Sequence, residues 1–317
     1  MSFEVILPFL RPIEHLITDS TVSEIMVNAS SRVFVEREGQ IHEVTGIRIG
    51  ERSLQVAVRN IARAVGDEIC EEKPLLDSRL PDGSRVAAVI PPCSVGGTTL
   101  TIRKFQSNQF TAAELVRIGT LTETLFDRLR AAVESRHNLL ISGGTGTGKT
   151  TLLNALAALI PDCERLILIE DTAEIQIDKP NLVRFEARRE QMGLTAITIR
   201  DLLKASLRHR PDRIILGEVR GGEAFDLLQA LNTGHSGTLS TIHANSAEQA
   251  ITRLAGCVLQ SGVELPYQAV RASIAESINL LLHIERRKTQ RLVTELLEIK
   301  SYDYQSGKYQ LDCIFRR

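Results

Sequence analysis

Residues 139–150 read LLISGGTGTGKT, an apolar run followed at once by a glycine-rich loop. The run Leu139–Ser142 is typical of a buried strand, and the loop 143–150 fits the pattern G-x-x-x-x-G-K-[ST]. Glycines let successive backbone N–H groups turn inward around phosphate oxygens. A helix predicted over 149–160 would aim its positive end at the same oxygens. The stretch therefore predicts a strand, a phosphate-binding loop and a helix.

The loop gives each of its polar residues a predicted role. Lys149 is expected to neutralise the β- and γ-phosphates of a nucleotide, and Thr150 to supply a hydroxyl to Mg²⁺. The predicted phosphate-binding residues are Gly143, Gly144, Thr145, Gly146, Thr147, Gly148, Lys149, Thr150 and Thr151. The alternative is a glycine-rich turn that binds no nucleotide; the strand before the loop and the helix after it favour the phosphate loop.

Acidic residues follow two further apolar runs. The predicted strand 165–170 ends at Glu170, and the predicted strand 213–217 is followed by Glu218. Because parallel strands carry their C-terminal ends at one edge of a sheet, both carboxylates are expected beside the phosphate loop. One can hold Mg²⁺ and the other can orient the attacking water. Glu170 is the first choice for the water and Glu218 for Mg²⁺, with the exchanged roles left open; for either residue alone, a helix cap or a surface ion pair is the alternative.

Two histidines flank another predicted strand, 237–242. His235 lies before it and His243 follows it, within the segment GHSGTLSTIH. A histidine beside a nucleotide site can contact the γ-phosphate or respond to its loss, so both are candidate functional residues. The alternative for each is a buried histidine with a purely structural role.

The spacing of the patterns predicts two domains and a linker. Residues 1–105 alternate short β-rich segments with two helical patterns, over 8–17 and 51–65, and predict a small α+β domain. The expected strands there are 24–28, 32–36, 40–44, 85–90 and 99–105, with a loop around Pro74 and Pro81. The polar stretch 106–111 is expected to be the linker. Residues 112–317 alternate strands with helices, which predicts βαβ units on a mostly parallel sheet, and end in strands that suggest a final hairpin or meander.

Composition excludes several classes of protein. The chain has 317 residues, a net charge of −1, 43% hydrophobic and 24% charged residues. These values predict a globular protein and do not indicate a basic nucleic-acid binder. No apolar stretch reaches membrane-spanning length, no secretory signal is recognisable, and the five cysteines suggest neither a zinc module nor a disulfide framework. A cytoplasmic location is expected. The apolar run 5–10 is predicted to be a packed helix or strand, and contact with a membrane surface is the alternative.

Four segments, in this order and spacing, resemble one known family. They are GGTGTGKTT at 143–151, LIEDTAEI at 168–175, RHRPDRIILGEVRGGEA at 208–224 and GHSGTLSTIHANS at 234–246. They look like the Walker A, Asp box, Walker B and His box of the secretion ATPases, the motors of type II and type IV secretion, conjugation and pilus assembly. In the N-terminal half, VSEIMVN, RVFVEREG, LLDSRLPDGSRVAAVIPP and LTIRKF resemble the CpaF and TrbB branch.

The resemblance carries expectations that the residues alone do not. It implies a RecA-like P-loop domain, ATP with Mg²⁺, a homohexamer, and inner-membrane components of a secretion or pilus machine as partners, with the protein cytoplasmic and peripheral at that membrane. It also implies that arginines of the N-terminal domain serve the nucleotide site, at Arg85 and Arg103, with Arg208 as a further family arginine near it. The alternative for Arg85 and Arg103 is a salt bridge within their own domain.

The predicted function is ATP hydrolysis to ADP and phosphate that powers conjugative or type IV secretion of DNA or protein, or assembly of a tight-adherence-type pilus. The type II branch is disfavoured, since its cysteine-rich zinc insertion is absent, and the long N-terminal extension of many CpaF proteins is absent too. Two alternatives stay open. One is a nucleotide-gated scaffold with negligible turnover, against which Glu170 and Glu218 argue. The other is a DNA-translocating motor; direct nucleic-acid binding is not indicated, since aromatic residues are only 4% and no Trp is present to stack on bases.

Overall fold

The computed structural model describes residues 7–29, 32–37, 39–105, 110–188, 190, 194–288 and 290–317. The chain divides into two compact units, Met1–Asn108 and Gln109–Arg317. The division falls inside the segment predicted as the linker, of which residues 106–109 lie outside the described residues.

The first unit is built on a six-stranded antiparallel sheet in the order β3-β2-β1-β6-β5-β4. Its strands are β1 (Val22–Asn28), β2 (Arg32–Arg37), β3 (Gln40–Val44), β4 (Leu75–Arg79), β5 (Arg85–Val89) and β6 (Thr99–Arg103). Two helices, α1 (Glu14–Thr18) and α2 (Glu51–Ala64), contribute to its core. Helix α2 buries Leu54, Val58 and Ile61 and leaves its other side exposed, as the spacing of its apolar residues predicts.

Two predictions for this unit need correction. The loop expected around Pro74 and Pro81 contains strand β4, which pairs with β5 from Leu75 opposite Val89 onward. The prolines flank this strand and do not interrupt it, and β4 lies at the sheet edge, where flanking breakers are tolerated. The single helical pattern over 8–17 is divided into the 3₁₀ turns Leu7–Phe9 and Arg11–Ile13 and the short helix α1.

The second unit is built on an eight-stranded sheet in the order β14-β13-β12-β7-β11-β10-β8-β9. Its strands are β7 (Leu139–Ser142), β8 (Leu166–Glu170), β9 (Leu182–Glu186), β10 (Arg213–Val219), β11 (Leu239–Ile242), β12 (Leu280–Arg287), β13 (Gln290–Asp303) and β14 (Lys308–Arg316). Six neighbouring strands of this sheet are parallel to one another, in the order β12-β7-β11-β10-β8-β9. The mixed α/β fold with a mostly parallel sheet is therefore confirmed, and the predicted tail is an antiparallel meander of β12, β13 and β14.

Helices cover both faces of this sheet. They are α3 (Ala112–Arg117), α4 (Glu123–Glu134), α5 (Lys149–Ala157), α6 (Ile199–Ser206), α7 (Glu223–Asn232), α8 (Ala247–Leu259) and α9 (Tyr267–Ser277). Successive strand residues point to opposite faces, so Leu139 and Ile141 join one hydrophobic core with α3, α4 and α5. Leu140, between them, joins the other core with α6 to α9. This burial on both sides fixes the register of β7 and thus the place where the phosphate loop begins.

Within the described ranges, no helix has both the length and the apolar character needed to cross a membrane.

Candidate active site

The glycine-rich loop leaves the C-terminal end of β7, a strand buried along its whole length. Gly146 and Gly148 adopt φ values of +70° and +97°, in the left-handed region that favours glycine. Gly143 lies so close to the backbone carbonyl of Ile284 that a Cβ atom would collide with it. The Thr147 hydroxyl donates a hydrogen bond of 2.9 Å to the Gly144 carbonyl and closes the turn. The sequence thus places glycine where the backbone has no room or no freedom for another residue.

Lys149 opens helix α5 and is buried at the base of the loop. Its Nζ donates hydrogen bonds to the carbonyls of Gly143, at 3.1 Å, and Gly144, at 2.9 Å. Burial is the main cause that lowers the pKa of Lys149, and the Glu218 carboxylate opposes this effect. Thr150 and Thr151 follow in the first helical turn, where unpaired backbone N–H groups and the helix dipole favour an anion.

His243, which follows β11, lies between Lys149 at the end of the loop and Glu218 on β10. The Nε2 atom of His243 lies 2.7 Å from Glu218 Oε1, and Lys149 Nζ lies 3.4 Å from His243 Nδ1. Burial first, and then the charge of Lys149, lower the pKa of His243, and the Glu218 carboxylate opposes this effect. Arg220 binds the other carboxylate oxygen of Glu218, at 2.6 Å, and also reaches Asp171 at 3.3 Å. An alternating set of charges therefore borders the phosphate loop.

Glu170 ends the neighbouring strand β8 and is only 4% exposed. One of its oxygens accepts backbone hydrogen bonds of 2.8 Å from Glu174 and from Ile175. Burial nevertheless raises the pKa of Glu170 to about 7. A carboxyl group with a pKa near neutrality can take and return a proton at physiological pH. Its position, at the same sheet edge as the loop, suits a group that orients or activates water.

Strand β12 and the start of β13 brace the loop from the other side. The buried His283 ring lies 2.9 Å, through Nδ1, from the hydroxyl of Ser142, the residue before Gly143. Arg291 donates from Nε to the Gly146 carbonyl at 3.2 Å. The sequence predictions included neither residue, because both belong to a tail that carries no recognisable motif of its own.

A cavity of about 230 Å³ opens beside the start of α5. Its wall is mostly apolar and includes Phe110, Leu115, Ile118, Leu152 and Ile284, with Thr120, Thr151, Gln290 and Arg291 as polar members. It adjoins Gly148 and Thr151, at the end of the loop. An apolar cleft with a few polar groups suits a nucleotide base. Sequence reasoning could not find it, since the lining comes from three separate stretches of chain.

Two predicted site residues lie elsewhere. His235 precedes β11 and so lies at the opposite edge of the sheet from His243, with its Nδ1 3.2 Å from the Ala230 carbonyl. Arg208 lies in the 3₁₀ turn Leu207–His209, before β10 and therefore also toward that opposite edge, and it is exposed. The structure does not bring either residue to the Lys149 cluster, because the two ends of a parallel strand lie on opposite edges.

The two N-terminal arginines lie side by side in the first unit. Arg85 on β5 and Arg103 on β6 are directly opposite each other. Arg103 lies 3.5 Å from Glu24 on β1 and keeps 55% of its side chain exposed. This weak, exposed contact leaves the Arg103 guanidinium accessible to a further partner.

Comparison with known proteins agrees with this architecture. The chain belongs to the Type II/IV secretion system protein family, which it matches over residues 9–306. It is 39% identical over 299 residues to the conjugal transfer protein TrbB of Rhizobium radiobacter, covering 92% of this chain and 88% of that one. It is 36% identical over 317 residues to the type IV secretion system protein PtlH of Bordetella pertussis, with 92% and 93% covered. The predicted resemblance to secretion ATPases is thus confirmed.

Solved structures extend the comparison to the fold. The VirB11 ATPase of the Brucella suis type IV secretion system, in complex with sulphate, is 30% identical, with a TM-score of 0.50 over 92% of this chain and 94% of that one. The pilus retraction motor PilT with bound ADP has a TM-score of 0.60 at 20% identity, covering 99% and 83%. These likenesses support the RecA-like P-loop assignment of the second unit.

Proposed function

We propose that this protein is an ATPase that hydrolyses ATP to ADP and phosphate and thereby powers conjugative or type IV secretion of DNA or protein, or assembly of a tight-adherence-type pilus. The observation that carries the proposal is the contact set of Lys149, Glu218 and His243 at the glycine loop. It brings together a cation that can neutralise phosphate charge, a carboxylate and an imidazole at the start of a helix. The lysine and the carboxylate are groups that phosphoryl transfer uses around a terminal phosphate, and the imidazole is close enough to respond to that phosphate.

The donors for Mg²⁺ are oxygens. Thr150 offers a hydroxyl beside the loop and Glu218 a carboxylate, and hydroxyl and carboxylate oxygens are ligands that Mg²⁺ accepts. When bound, the ion would neutralise charge on the phosphates. Arg220 holds one oxygen of Glu218, and the other oxygen is buried and makes no hydrogen bond among the described residues, so it is available to a further ligand.

Glu170 is proposed to orient the attacking water. Two backbone N–H groups fix one of its oxygens, which leaves the other for a second partner. With a pKa of about 7, a large fraction of Glu170 is ionised at neutral pH and can accept a hydrogen bond from water. The exchanged assignment, with Glu218 on the water, is the competing form of this proposal.

The family supplies the proposed setting. The relatives named for conjugal transfer and type IV secretion match nearly the whole chain, so we propose a ring of six subunits on the cytoplasmic side of an inner membrane, working with membrane components of such a machine. Arg85, Arg103 and Arg208 are then proposed to act on a nucleotide through this assembly. A cation that reaches the γ-phosphate stabilises the transition state and couples hydrolysis to movement.

The test is phosphate release by the purified full chain with MgATP, compared with Lys149→Ala. We expect turnover in the wild type and a fall of roughly a hundredfold or more in the variant. Lys308→Ala, which removes an exposed lysine of β14, is the matched control and should keep wild-type turnover. Wild-type protein that binds ATP and releases no phosphate would instead establish the scaffold, and equal rates in Lys149→Ala and wild type would refute the loop assignment.

A further inference from the structure

The exposed side of α2 carries a stripe of arginines. Arg52, Arg59 and Arg63 are all exposed and are separated by seven and four residues. At 3.6 residues per turn these positions fall within about 40° of one another around the helix, and about 10 Å and 6 Å apart along it. The opposite side of α2 is packed into the core of the first unit, so the stripe faces outward.

These guanidinium groups have no carboxylate partner in the described part of the chain. An arginine fork is built for bidentate contact with a carboxylate and is weakly hydrated, which makes it a frequent interface residue. Three such groups in one line therefore suit an acidic surface of matching spacing.

Helix α4 carries that surface. Glu123, Asp127 and Glu134 are exposed, are separated by four and seven residues, and also fall within about 40° around their helix. They make no ion pair with any described residue. The spacing of the acids is the reverse of the spacing of the arginines.

The reversal fixes an orientation. When α2 and α4 lie antiparallel, every arginine of the stripe faces an acid. The three pairs are Arg52 with Glu134, Arg59 with Asp127, and Arg63 with Glu123. A parallel arrangement would instead set Arg59 opposite Arg130, and like charges brought together at an interface are unfavourable.

At the centre of the antiparallel arrangement, α2 contributes an apolar residue. Val56, which is 55% exposed, faces Arg130. The Arg130 guanidinium lies over the Phe126 ring at 4.4 Å, so the aliphatic stem of Arg130 is free to cover Val56. An apolar contact between charged pairs is the usual anatomy of an interface patch.

We infer that α2 of one copy of this protein docks antiparallel on α4 of a neighbouring copy. Because the two surfaces differ, the contact runs head to tail, and a head-to-tail contact that closes makes a ring. The inference rests on the proposed function, which includes such a ring, and it names the contact that sets the register between subunits. Exposed ion pairs contribute little affinity each, so the remaining interface area supplies stability and these pairs supply orientation.

The test is charge reversal in the full chain with a non-hydrolysable ATP analogue, read by native mass spectrometry and sedimentation velocity. Arg59→Glu and Asp127→Arg should each raise the concentration needed for assembly by about tenfold or more, since each brings like charges together. Both positions are exposed, so melting temperatures should stay unchanged. Arg128→Glu, an equal charge change on a different side of α4, is the matched control and should assemble as the wild type does.

Mixing the two variants makes the test specific for a contact between chains. In an alternating ring, the acid introduced at position 59 meets the arginine introduced at position 127, and the other contacts are native. We therefore expect the mixture, and the double variant, to assemble at wild-type concentration. The exchange Arg63→Glu with Glu123→Arg repeats the test, should a first variant fail to fold.

Three outcomes separate the two proposals. Wild-type assembly and turnover with single reversals that assemble normally would overturn this contact and leave the ATPase intact. Weakened single variants that mixing does not restore would overturn it as well. Wild-type protein that neither assembles nor hydrolyses ATP would instead count against the proposed function.

Discussion

Buried charged residues lie at both edges of the parallel sheet, but they have different partners at the two edges. At the N-terminal edge, Arg213 is completely buried and binds both oxygens of Glu164, at 2.6 and 2.9 Å, and the Val133 carbonyl. At the C-terminal edge, Lys149 and Glu170 have pKa values shifted by burial, and their hydrogen bonds go mainly to backbone groups.

This difference distinguishes charged residues that stabilise the fold from charged residues that can take part in chemistry. A buried pair that satisfies itself, as Arg213 and Glu164 do, holds the pKa of Glu164 below its usual value through the Arg213 hydrogen bonds and has no capacity left for a ligand. Burial without a matched partner shifts a pKa toward neutrality, and such groups concentrate at functional sites. If this difference holds, stability depends on the charges at the N-terminal edge and turnover on the charges at the C-terminal edge.

The largest effect is expected for Arg213→Met. Removing one partner of a buried ion pair typically costs about 3–5 kcal/mol in the free energy of unfolding, partly offset here because Arg136 lies 3.2 Å from Glu164. Urea unfolding measures the loss. Arg208→Met, an exposed change toward the same edge, should stay within about 0.5 kcal/mol of wild type. An Arg213→Met protein as stable as wild type would contradict the structural role.

The second largest effect is a loss of turnover, which we expect for Glu170→Gln. The amide cannot take a proton from water, so turnover should fall by roughly a hundredfold or more while ATP stays bound. Steady-state phosphate release and equilibrium binding of ATP measure the two quantities. Glu248→Gln, on the exposed start of α8, serves as control, and unaltered turnover in Glu170→Gln would transfer the water-orienting role to Glu218.

The histidines provide a test within one segment. His243→Ala should lower turnover by about tenfold, since it removes a contact to Glu218 and Lys149 within the charge network. Because His235 lies at the other edge of the sheet, away from the phosphate loop of its own subunit, we expect His235→Ala to change turnover little. Rates are compared per folded molecule, so that a loss of stability is not counted as a loss of chemistry. Equal kinetic losses would show that His235 reaches a nucleotide in the assembled ring.

The pH dependence is the smallest predicted effect. Only ionised Glu170 can accept a hydrogen bond from water, and its pKa of about 7 lies above the usual value for glutamate. Turnover should therefore rise with pH and reach half its limit near pH 7, with saturating MgATP at each pH. The residual activity of Glu170→Gln should not show that step, and a step of the same size in this variant would assign it to another group.

Local patterns predicted much of this molecule. The apolar run 139–142 and the following glycines determined one strand, the loop and one helix because each depends on short-range geometry. Strand β4 was missed because the prolines beside it gave a stronger local signal than its five residues. The cavity, Arg220, Arg291 and His283 were not predicted, since their roles arise from contacts between distant segments. His235 and His243 lie at opposite edges of the sheet because strand β11 runs between them, and the sequence motif alone does not show this separation.

The central claim is most directly tested by measuring melting temperature and phosphate release per folded molecule for Lys149→Ala and Glu164→Gln. We predict that Lys149→Ala melts close to wild type, because it removes a buried charge with a lowered pKa, and that it has lost turnover. Glu164→Gln leaves Arg213 without its carboxylate, so it should melt lower by on the order of 5–10 °C and keep wild-type turnover. If Lys149→Ala turns over at the wild-type rate, or Glu164→Gln loses turnover while its stability is unchanged, the division between a structural and a chemical edge is contradicted.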